Sequence, residues 1–242
     1  MKQRLSNLRR RLLAGLQRYP GLNRGLYLLL GANKRLMVRP DTELVIEGFP
    51  RSANTYAVVA FEQAQPGPVR LAHHVHSPFQ VAYAVDKGIP SLVLARDPLD
   101  ATASLLVRDP SRNPRECLHN YVTFYETLLP LAQGYVVGLF DVVVADYGRI
   151  IQAVNERFGT DFALFESTEA NVAQAFQRID KVNVSEWGEL SERAVARPAQ
   201  RGEAKQALRQ EISADTGLRP LAERAGAAFQ KMAQIAERQG VS

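Results

Sequence analysis

Short apolar runs alternate with amphipathic segments through most of the first two thirds of the chain. The runs at 44–46, 69–72 and 91–95 predict buried strands. The apolar stretch 136–145 predicts one or two more strands. Helical patterns follow the first three runs, and this alternation predicts an α/β fold with a mainly parallel sheet and helices on both faces.

Helix starts and stops punctuate the same region. Asp97 and Asn113 each precede a proline and predict N-caps, and Ser77 before Pro78, with Gln80 three residues after the serine, predicts another. The helix that begins after Asn113 is predicted to run to about residue 129. A helix over 147–158 is predicted to stop at the glycine that follows it.

Extra helices are predicted at both ends of the chain. Residues 166–180 and 221–239 have amphipathic helical patterns, and the polar, Arg-rich stretch 182–210 between them predicts a lid or an ordering loop. The first 40 residues predict a basic amphipathic arm, separate from a single domain over 41–242, with leucines at helical spacing: Leu5, Leu8, Leu12, Leu13 and Leu16.

Charge is concentrated in this arm. Residues 1–40 contain ten Lys or Arg and no acidic residue, which leaves 20 basic and 25 acidic residues for 41–242. A nucleic-acid-binding domain would carry the basic excess on its folded face, so we expect no nucleic-acid partner. The arm either packs its leucines on the domain or makes peripheral contact with an anionic membrane through residues 1–38. We expect it to be separable from catalysis.

Cysteine content and hydropathy indicate the cellular compartment of the protein. The single cysteine, Cys117, excludes an intramolecular disulfide and fits a reducing compartment. No apolar run approaches the ~20 residues that a membrane span needs. We therefore expect a cytoplasmic protein, with membrane contact only at the periphery.

The turn after the first strand, residues 48–55, has the frame of a phosphate-binding loop. In such loops backbone N–H groups at a helix N-terminus converge on an anion. Gly48 and Thr55 fit the nucleotide-hydrolase pattern, but Ala53 replaces its second glycine and Asn54 replaces its lysine. The cation stands earlier, as Arg51.

The turn after the third strand carries a second candidate anion site. Arg96 stands at the strand end, and Ser104 lies about two turns into the following helix on the side that faces back. A guanidinium matches a phosphate bidentately, and a hydroxyl adds one more donor. The plain alternative pairs Arg96 with Asp97 or Asp100 and leaves Ser104 as an ordinary helix residue.

Both turns resemble motifs of the sulfotransferase family. Residues 50–56 resemble its Pro-[Lys/Arg]-Ser-Gly-[Thr/Asn]-Thr-Trp loop, and residues 96–104 resemble its 3′-phosphate motif. The resemblance covers roughly residues 43–160 and implies a P-loop-NTPase-like fold and the donor 3′-phosphoadenosine 5′-phosphosulfate (PAPS), with no metal required. It also implies that Tyr56 flanks the adenine, as the family's Trp does. The implied donor-binding residues are Arg51, Ser52, Ala53, Asn54, Thr55, Tyr56, Arg96 and Ser104.

Three of the four histidines lie together at 73–76, after the second strand. Aligned on Pro78, His76 falls on the family's general base and His74 on its lysine. The alternatives are a metal site and a structural, hydrogen-bonded role. Because adjacent residues at a strand end project to opposite sides, and no Cys or acidic partner is near, we expect no metal there.

Two later segments resemble the family weakly. Residues 141–147 resemble its late strand and Tyr-Glu segment, with Gly148 where the acid usually stands. Residues 197–202 are the only candidate for its Arg-rich closing loop, through Arg197 and Arg201. A solvated charged loop is an equal alternative.

The predicted function is sulfuryl transfer from PAPS to a hydroxyl or amine by in-line displacement, with Arg51 and His76 as catalytic residues. The sequence does not separate small-molecule, carbohydrate, lipid and peptide acceptors. One alternative is a non-catalytic nucleotide-binding or membrane-adaptor protein of the same fold. The other is a nucleotide-dependent kinase, which would need the loop lysine and a carboxylate for magnesium.

Overall fold

A four-stranded sheet, parallel throughout, forms the centre of the fold. The computed structural model describes residues 12–30, 34–187 and 201–241. The strands are β1 (Leu44–Gly48), β2 (Leu71–His73), β3 (Ser91–Ala95) and β4 (Val136–Leu139), in the order β2-β1-β3-β4. Helices flank this sheet, so the predicted α/β class is confirmed.

Residues 12–15 are helical, and ten further α-helices are described, with two short 3-10 helices at Lys34–Leu36 and Leu129–Gly134. In chain order they are α1 (Pro20–Leu30), α2 (Asn54–Ala64), α3 (Phe79–Asp86), α4 (Pro98–Arg108), α5 (Pro114–Leu128), α6 (Phe140–Ala145), α7 (Tyr147–Phe158), α8 (Glu169–Trp187), α9 (Arg201–Ala214) and α10 (Arg219–Arg238).

The central strands read as continuous apolar runs because both faces of a parallel sheet are covered. Every residue of β1 and β3 is buried. The predicted caps at Asp97 and Asn113 are confirmed, since each side chain accepts hydrogen bonds from N–H groups in the first turn of its helix. Gly159 ends α7 in a left-handed conformation, φ 66°, as predicted.

Three local predictions are wrong. Residues 140–145 form helix α6 instead of a strand, because an apolar run this short has no distinguishing period and only Val143 of the helix is buried. Ser77 does not cap α3, since its hydroxyl donates to Asn23 Oδ1 at 2.5 Å. Of the stretch 182–210, predicted to be irregular, residues 182–187 belong to α8 and 201–210 to α9, while 188–200 lie outside the described ranges.

The segment before β1 packs against α3 and the turn that precedes it. Asn23 is fully buried in α1, and Met37 forms a small apolar cluster with Val75 and Phe79. The Gln80 side chain accepts from Val38 N at 2.5 Å. The predicted domain boundary at residue 40 stays a prediction, and the contacts across it are extensive.

Candidate functional site

The sheet order brings three predicted turns to one edge. β1 lies between β2 and β3, so the turns after these three strands are neighbours at their carboxyl ends. This is the edge where ligands bind in open parallel sheets. Contacts between the turns join most of the residues that the sequence singles out.

The loop between β1 and α2 is tightly folded. A Cβ on Gly48 would meet the Leu94 carbonyl oxygen at 2.6 Å, so the close approach of β3 requires glycine there. Arg51 and Ala53 both have left-handed backbones, with φ of 73° and 68°. The Asn54 side chain donates to the Phe49 carbonyl at 3.0 Å and closes the loop from inside. The N-terminus of α2, with N–H groups that the helix itself does not use, therefore faces the turn.

The two predicted anion motifs are in direct contact. Arg51 Nε donates to Ser104 Oγ at 3.0 Å, and Arg96 Nη1 donates to the Arg51 carbonyl at 3.0 Å. Two guanidinium groups and a hydroxyl from segments about 50 residues apart thus converge on one spot.

Arg96 is held from several sides. Its guanidinium lies 3.8 Å from the Phe140 ring centroid, and its Nη2 lies 3.6 Å from Asp100 Oδ2. The Asp100 pairing was the alternative to phosphate binding, and the structure shows that pairing. Arg96 Nε is nevertheless buried without a hydrogen-bond acceptor among the described residues, so this arginine retains a donor for a ligand.

The hydrogen-bond partners of the histidine rings distinguish His76 from His74. His76 Nδ1 lies 2.9 Å from the Gly48 carbonyl oxygen. A carbonyl only accepts, so Nδ1 carries the proton, and Nε2 of the neutral ring keeps its lone pair. His74 Nε2 instead pairs with Thr55 Oγ1 at 3.0 Å, which links the second turn to the phosphate-binding loop.

The expectation that adjacent histidines diverge is wrong. His74 has φ of 55°, which turns its ring back, and His73 Nδ1 lies 2.6 Å from His74 Nδ1. In the described ranges no group of three or more His, Cys, Asp or Glu side chains is arranged to hold a metal ion. The independence from metal stays a prediction.

All three histidines have lowered pKa values. Burial is the main cause, and it lowers the pKa of His73 and of His76 to about 4 and that of His74 well below the usual range. For His76 the hydrogen bond to Gly48 acts the other way, while nearby arginines lower the pKa further. At neutral pH the three rings are therefore uncharged, as a general base must be.

Glu47 is a residue that sequence reasoning missed. It occupies β1 with its side chain fully buried, and it accepts from Val75 N at 2.8 Å and from His76 N at 3.1 Å. Burial raises its pKa to about 7, although these bonds and one from Gln80 oppose the rise. A carboxylate interrupting a buried apolar strand just before Gly48 was the available signal.

Two more cations reach the site from the end of α4. Arg108 and Arg112 lie close enough to His76 to lower its pKa. Arg112 Nε also donates to Asp109 at 2.9 Å. Arg108 stands four residues after Ser104, on the same helix face, and that spacing could have identified it.

Helix α9 covers the start of α4. Lys205 Nζ donates to Asp100 Oδ2 at 2.9 Å, and Arg209 Nη1 donates to Asp100 Oδ1 at 2.7 Å. Basic side chains of the tail thus lie beside Arg96, although they are not the ones that the sequence suggested. Arg197 lies outside the described ranges, and Arg201 is the first residue of α9.

Three of the predicted donor-binding side chains, Ser52, Asn54 and Tyr56, point into the protein. Tyr56 is 5% exposed and stacks on Phe176 with ring centroids 5.4 Å apart, inside an aromatic cluster with Tyr147 and Phe165. It does not present a face to an adenine, because the first turn of α2 directs it into the core. Ser52 is also fully buried.

Comparison with known proteins finds similarity among solved structures only. No protein-family model and no curated protein matches the chain. Among solved structures, a match is mouse sulfotransferase SULT7A1 complexed with PAP, at 13% identity and a TM-score of 0.43, covering 80% of this chain and 94% of that one. A similarity this low says nothing about activity, which has to be argued from the site residues.

Proposed function

We propose that this protein transfers a sulfuryl group from PAPS to a hydroxyl or amine acceptor. The contact between the two anion motifs carries the proposal. Arg51 Nε meets Ser104 Oγ at 3.0 Å, so the loop suited to a 5′-phosphosulfate and the turn suited to a 3′-phosphate form one site. A ligand with anionic groups on both the 3′ and 5′ positions of one ribose fits this pairing.

The residues suit such a donor. Arg51, with the N–H groups at the start of α2, would hold the 5′ end, and Arg96 with Ser104 would hold the 3′ end. The buried and unused Arg96 Nε supports the second assignment. Arg108 and Arg112 add positive charge, which favours a donor that carries several negative charges. Thr55 meets His74 and completes the loop.

We infer that His76 accepts the acceptor's proton at Nε2. Its Nδ1 is committed to Gly48, which fixes the tautomer and leaves Nε2 as the proton acceptor. When bound, the donor supplies an activated sulfuryl group with the 5′-phosphate as leaving group. Arg51 and the loop N–H groups stabilise the negative charge that builds on the leaving side.

A kinase is disfavoured by residues that are present. The loop lysine is replaced by Asn54, whose amide donates to the Phe49 carbonyl. At the end of β3, where a magnesium-binding carboxylate would be needed, the chain has Arg96. The next residue, Asp97, accepts from Asp100 N as a helix cap.

A binding experiment and a transfer assay together test the proposal. Calorimetry should show tighter binding of adenosine 3′,5′-bisphosphate than of adenosine 5′-monophosphate. Arg96→Ala should selectively weaken the binding of the bisphosphate, by about 1.5–3 kcal/mol, because charged hydrogen bonds are lost. Arg39→Ala, on the exposed surface before β1, is the matched control.

The transfer assay uses labelled PAPS with a panel of hydroxyl and amine acceptors. Label on any acceptor that requires Arg51 and His76 supports the proposal. If Arg96→Ala weakens the binding of both nucleotides equally, the assignment of Arg96 to the 3′-phosphate is refuted. Selective binding of the bisphosphate without transfer to any acceptor would instead indicate that the protein is a non-catalytic nucleotide-binding protein.

A further inference from the structure

The outer face of α1 is apolar, exposed and separate from the proposed site. In the described ranges eight large apolar side chains are exposed, and six of them lie between residues 12 and 30. Leu22 is 65% exposed and Leu29 is 76% exposed. Together with Gly25 and Leu26 they follow the i, i+3, i+4, i+7 spacing of one helix face. We call these four positions the leucine face.

The inward face of the same helix carries polar groups. Asn23 is fully buried, its Oδ1 accepts from Ser77 Oγ at 2.5 Å, and its Nδ2 donates to the Leu13 carbonyl at 2.6 Å. Amphipathic surface helices ordinarily turn apolar residues inward. This helix has a buried amide and exposed leucines.

Three contacts fix this orientation. Besides the Asn23 bonds, the Tyr27 ring lies 5.4 Å from the Phe79 ring, and the Arg24 guanidinium lies 4.4 Å from the Tyr83 ring centroid. All three join α1 to α3 or to the residues just before it. Rotating the helix to bury the leucine face would break them and leave Asn23 with no buried partner.

The charge of the N-terminal residues indicates which kind of partner covers the leucine face. The first 40 residues hold ten cations and no anion. Arg18 is exposed just before α1, and Lys34, Arg35 and Arg39 are exposed in the segment that follows it. Tyr19, also exposed, stands at the start of the helix, and aromatic residues with a polar tip favour the headgroup region of a bilayer.

A second copy of this chain is a poorer occupant. In a two-fold symmetric dimer the same patch would face itself, so the cations of one chain would oppose those of the other. An anionic lipid surface instead offers an apolar layer for the leucines beneath a negative layer for the arginines and lysines.

We propose that the leucine face and the basic residues flanking it dock this protein on an anionic lipid bilayer. The helix lies in the headgroup plane. It does not span the membrane, because no described helix is long and apolar enough to cross one. The segment before α1 contacts the turn that holds His76 from the inward side, since Gln17 Nε2 donates to the His76 carbonyl at 3.4 Å.

Vesicle co-sedimentation of the full chain tests the proposal. The full chain should bind phosphatidylcholine vesicles that contain roughly one third phosphatidylglycerol, and binding should weaken in high salt. The double variant Leu22→Gln/Leu29→Gln should bind at least about tenfold more weakly. Both leucines are exposed, so circular dichroism should show an unchanged fold. Leu164→Gln, exposed elsewhere at 45%, is the matched control and should bind as the wild type does.

A second measurement locates the contact. Leu29→Trp should be quenched by brominated lipid more strongly than Leu164→Trp. Failure of the full chain to bind anionic vesicles overturns the proposal, as does an equal loss of binding in Leu164→Gln. Light scattering in the absence of lipid tests whether the chain self-associates. A dimer that the double variant abolishes, in a chain that ignores vesicles, would assign the face to self-association.

Discussion

Ala53 has an unfavourable backbone conformation for an L-residue. It precedes α2 with φ of 68° and ψ of 17°, at the position where the sulfotransferase loop has glycine. A left-handed conformation costs a non-glycine residue roughly 1–2 kcal/mol. The tight turn of the phosphate-binding loop imposes that cost here.

We expect Ala53→Gly to stabilise the protein. Relief of the left-handed strain outweighs the extra backbone entropy of glycine in the unfolded chain, so the gain should be about 0.5–1 kcal/mol. Ala57→Gly, in the interior of the same helix, is the control and should destabilise by about 1 kcal/mol. Urea unfolding measures both free energies. A destabilised Ala53→Gly would show that the methyl group's packing matters more than the strain.

His76 sets the expected pH dependence of activity. An unperturbed histidine would place the acid limb near pH ~6.5, but the structure lowers the pKa of this ring to about 4, chiefly by burial. A base must be neutral, and activity is lost only as pH falls through its pKa. For the free enzyme kcat/KM should therefore be flat between about pH 5 and 8 as far as His76 is concerned.

Substitution distinguishes the two histidines. His76→Ala should lower turnover by about 10²–10⁴-fold and leave donor affinity nearly unchanged. His74→Ala should do less to turnover but should weaken donor binding, because it removes the partner of Thr55. An acid limb near ~6.5 would mean that the ring is more hydrated than the structure shows. A more damaging His74→Ala would place the base at His74.

At the scale of elements, Glu47 joins β1 to the turn between β2 and α3. Its carboxylate accepts backbone N–H bonds from Val75 and His76 and lies 3.9 Å from His76 Nδ1. The pKa of this group is about 7 in the fold and 4.5 when unperturbed. The folded protein therefore binds more protons than the unfolded chain between these values, and Glu47 makes stability fall as pH rises.

We expect Glu47→Gln to remove this pH dependence. Near pH 5 the buried acid is protonated and resembles an amide, so the two proteins should differ by at most about 1 kcal/mol. By pH 8 the wild type should have lost about 3 kcal/mol relative to the variant. Denaturant unfolding across this pH range gives the difference. The lowered pKa values of the histidines affect the stability of both proteins, so their contribution cancels in the difference between the two unfolding free energies.

Glu43→Gln removes an exposed carboxylate just before the same strand and serves as the control. Parallel stability curves for the wild type and Glu47→Gln would show that Glu47 is ionised in the fold at every pH tested. That result would contradict its raised pKa.

At the scale of the whole molecule, the N-terminal segment is tied to the sheet and the site. Asn23 holds Ser77, and Gln80 joins Val38 to Glu47 through bonds of 2.5 Å and 3.3 Å. Residues of 12–30 and 34–38 therefore cover the turn that carries His76. The expected separability of the arm from catalysis stays a prediction, and deletion of residues 1–38 tests it.

Deleting residues 1–38 should destabilise the protein by several kcal/mol. Loss of Met37 and Tyr27 would expose Phe79 and Val75, each worth roughly 1.5–3 kcal/mol of burial. That is a large fraction of the ~5–15 kcal/mol that stabilises a domain. Thermal unfolding and solubility measure the effect, with Asn23→Ala in the full chain as a milder comparison. A truncated chain that unfolds at the wild-type temperature would show a separable arm.

Local sequence patterns correctly predicted most of the order of strands and helices, two of three predicted caps, and the positions of both anion motifs. These features depend on periodicity and on spacings of a few residues, which are local. The short run 140–145 and the tail helix α9 were misassigned because their local patterns were ambiguous.

Which of these residues contact one another depends on tertiary packing. Arg51 contacts Ser104 across 53 positions, and Glu47 contacts His76 across 29. Packing turned Tyr56 into the core, and Asn23 turned α1 so that its leucines face outward. Such contacts depend on how elements far apart in the chain pack together, and no local pattern encodes that arrangement.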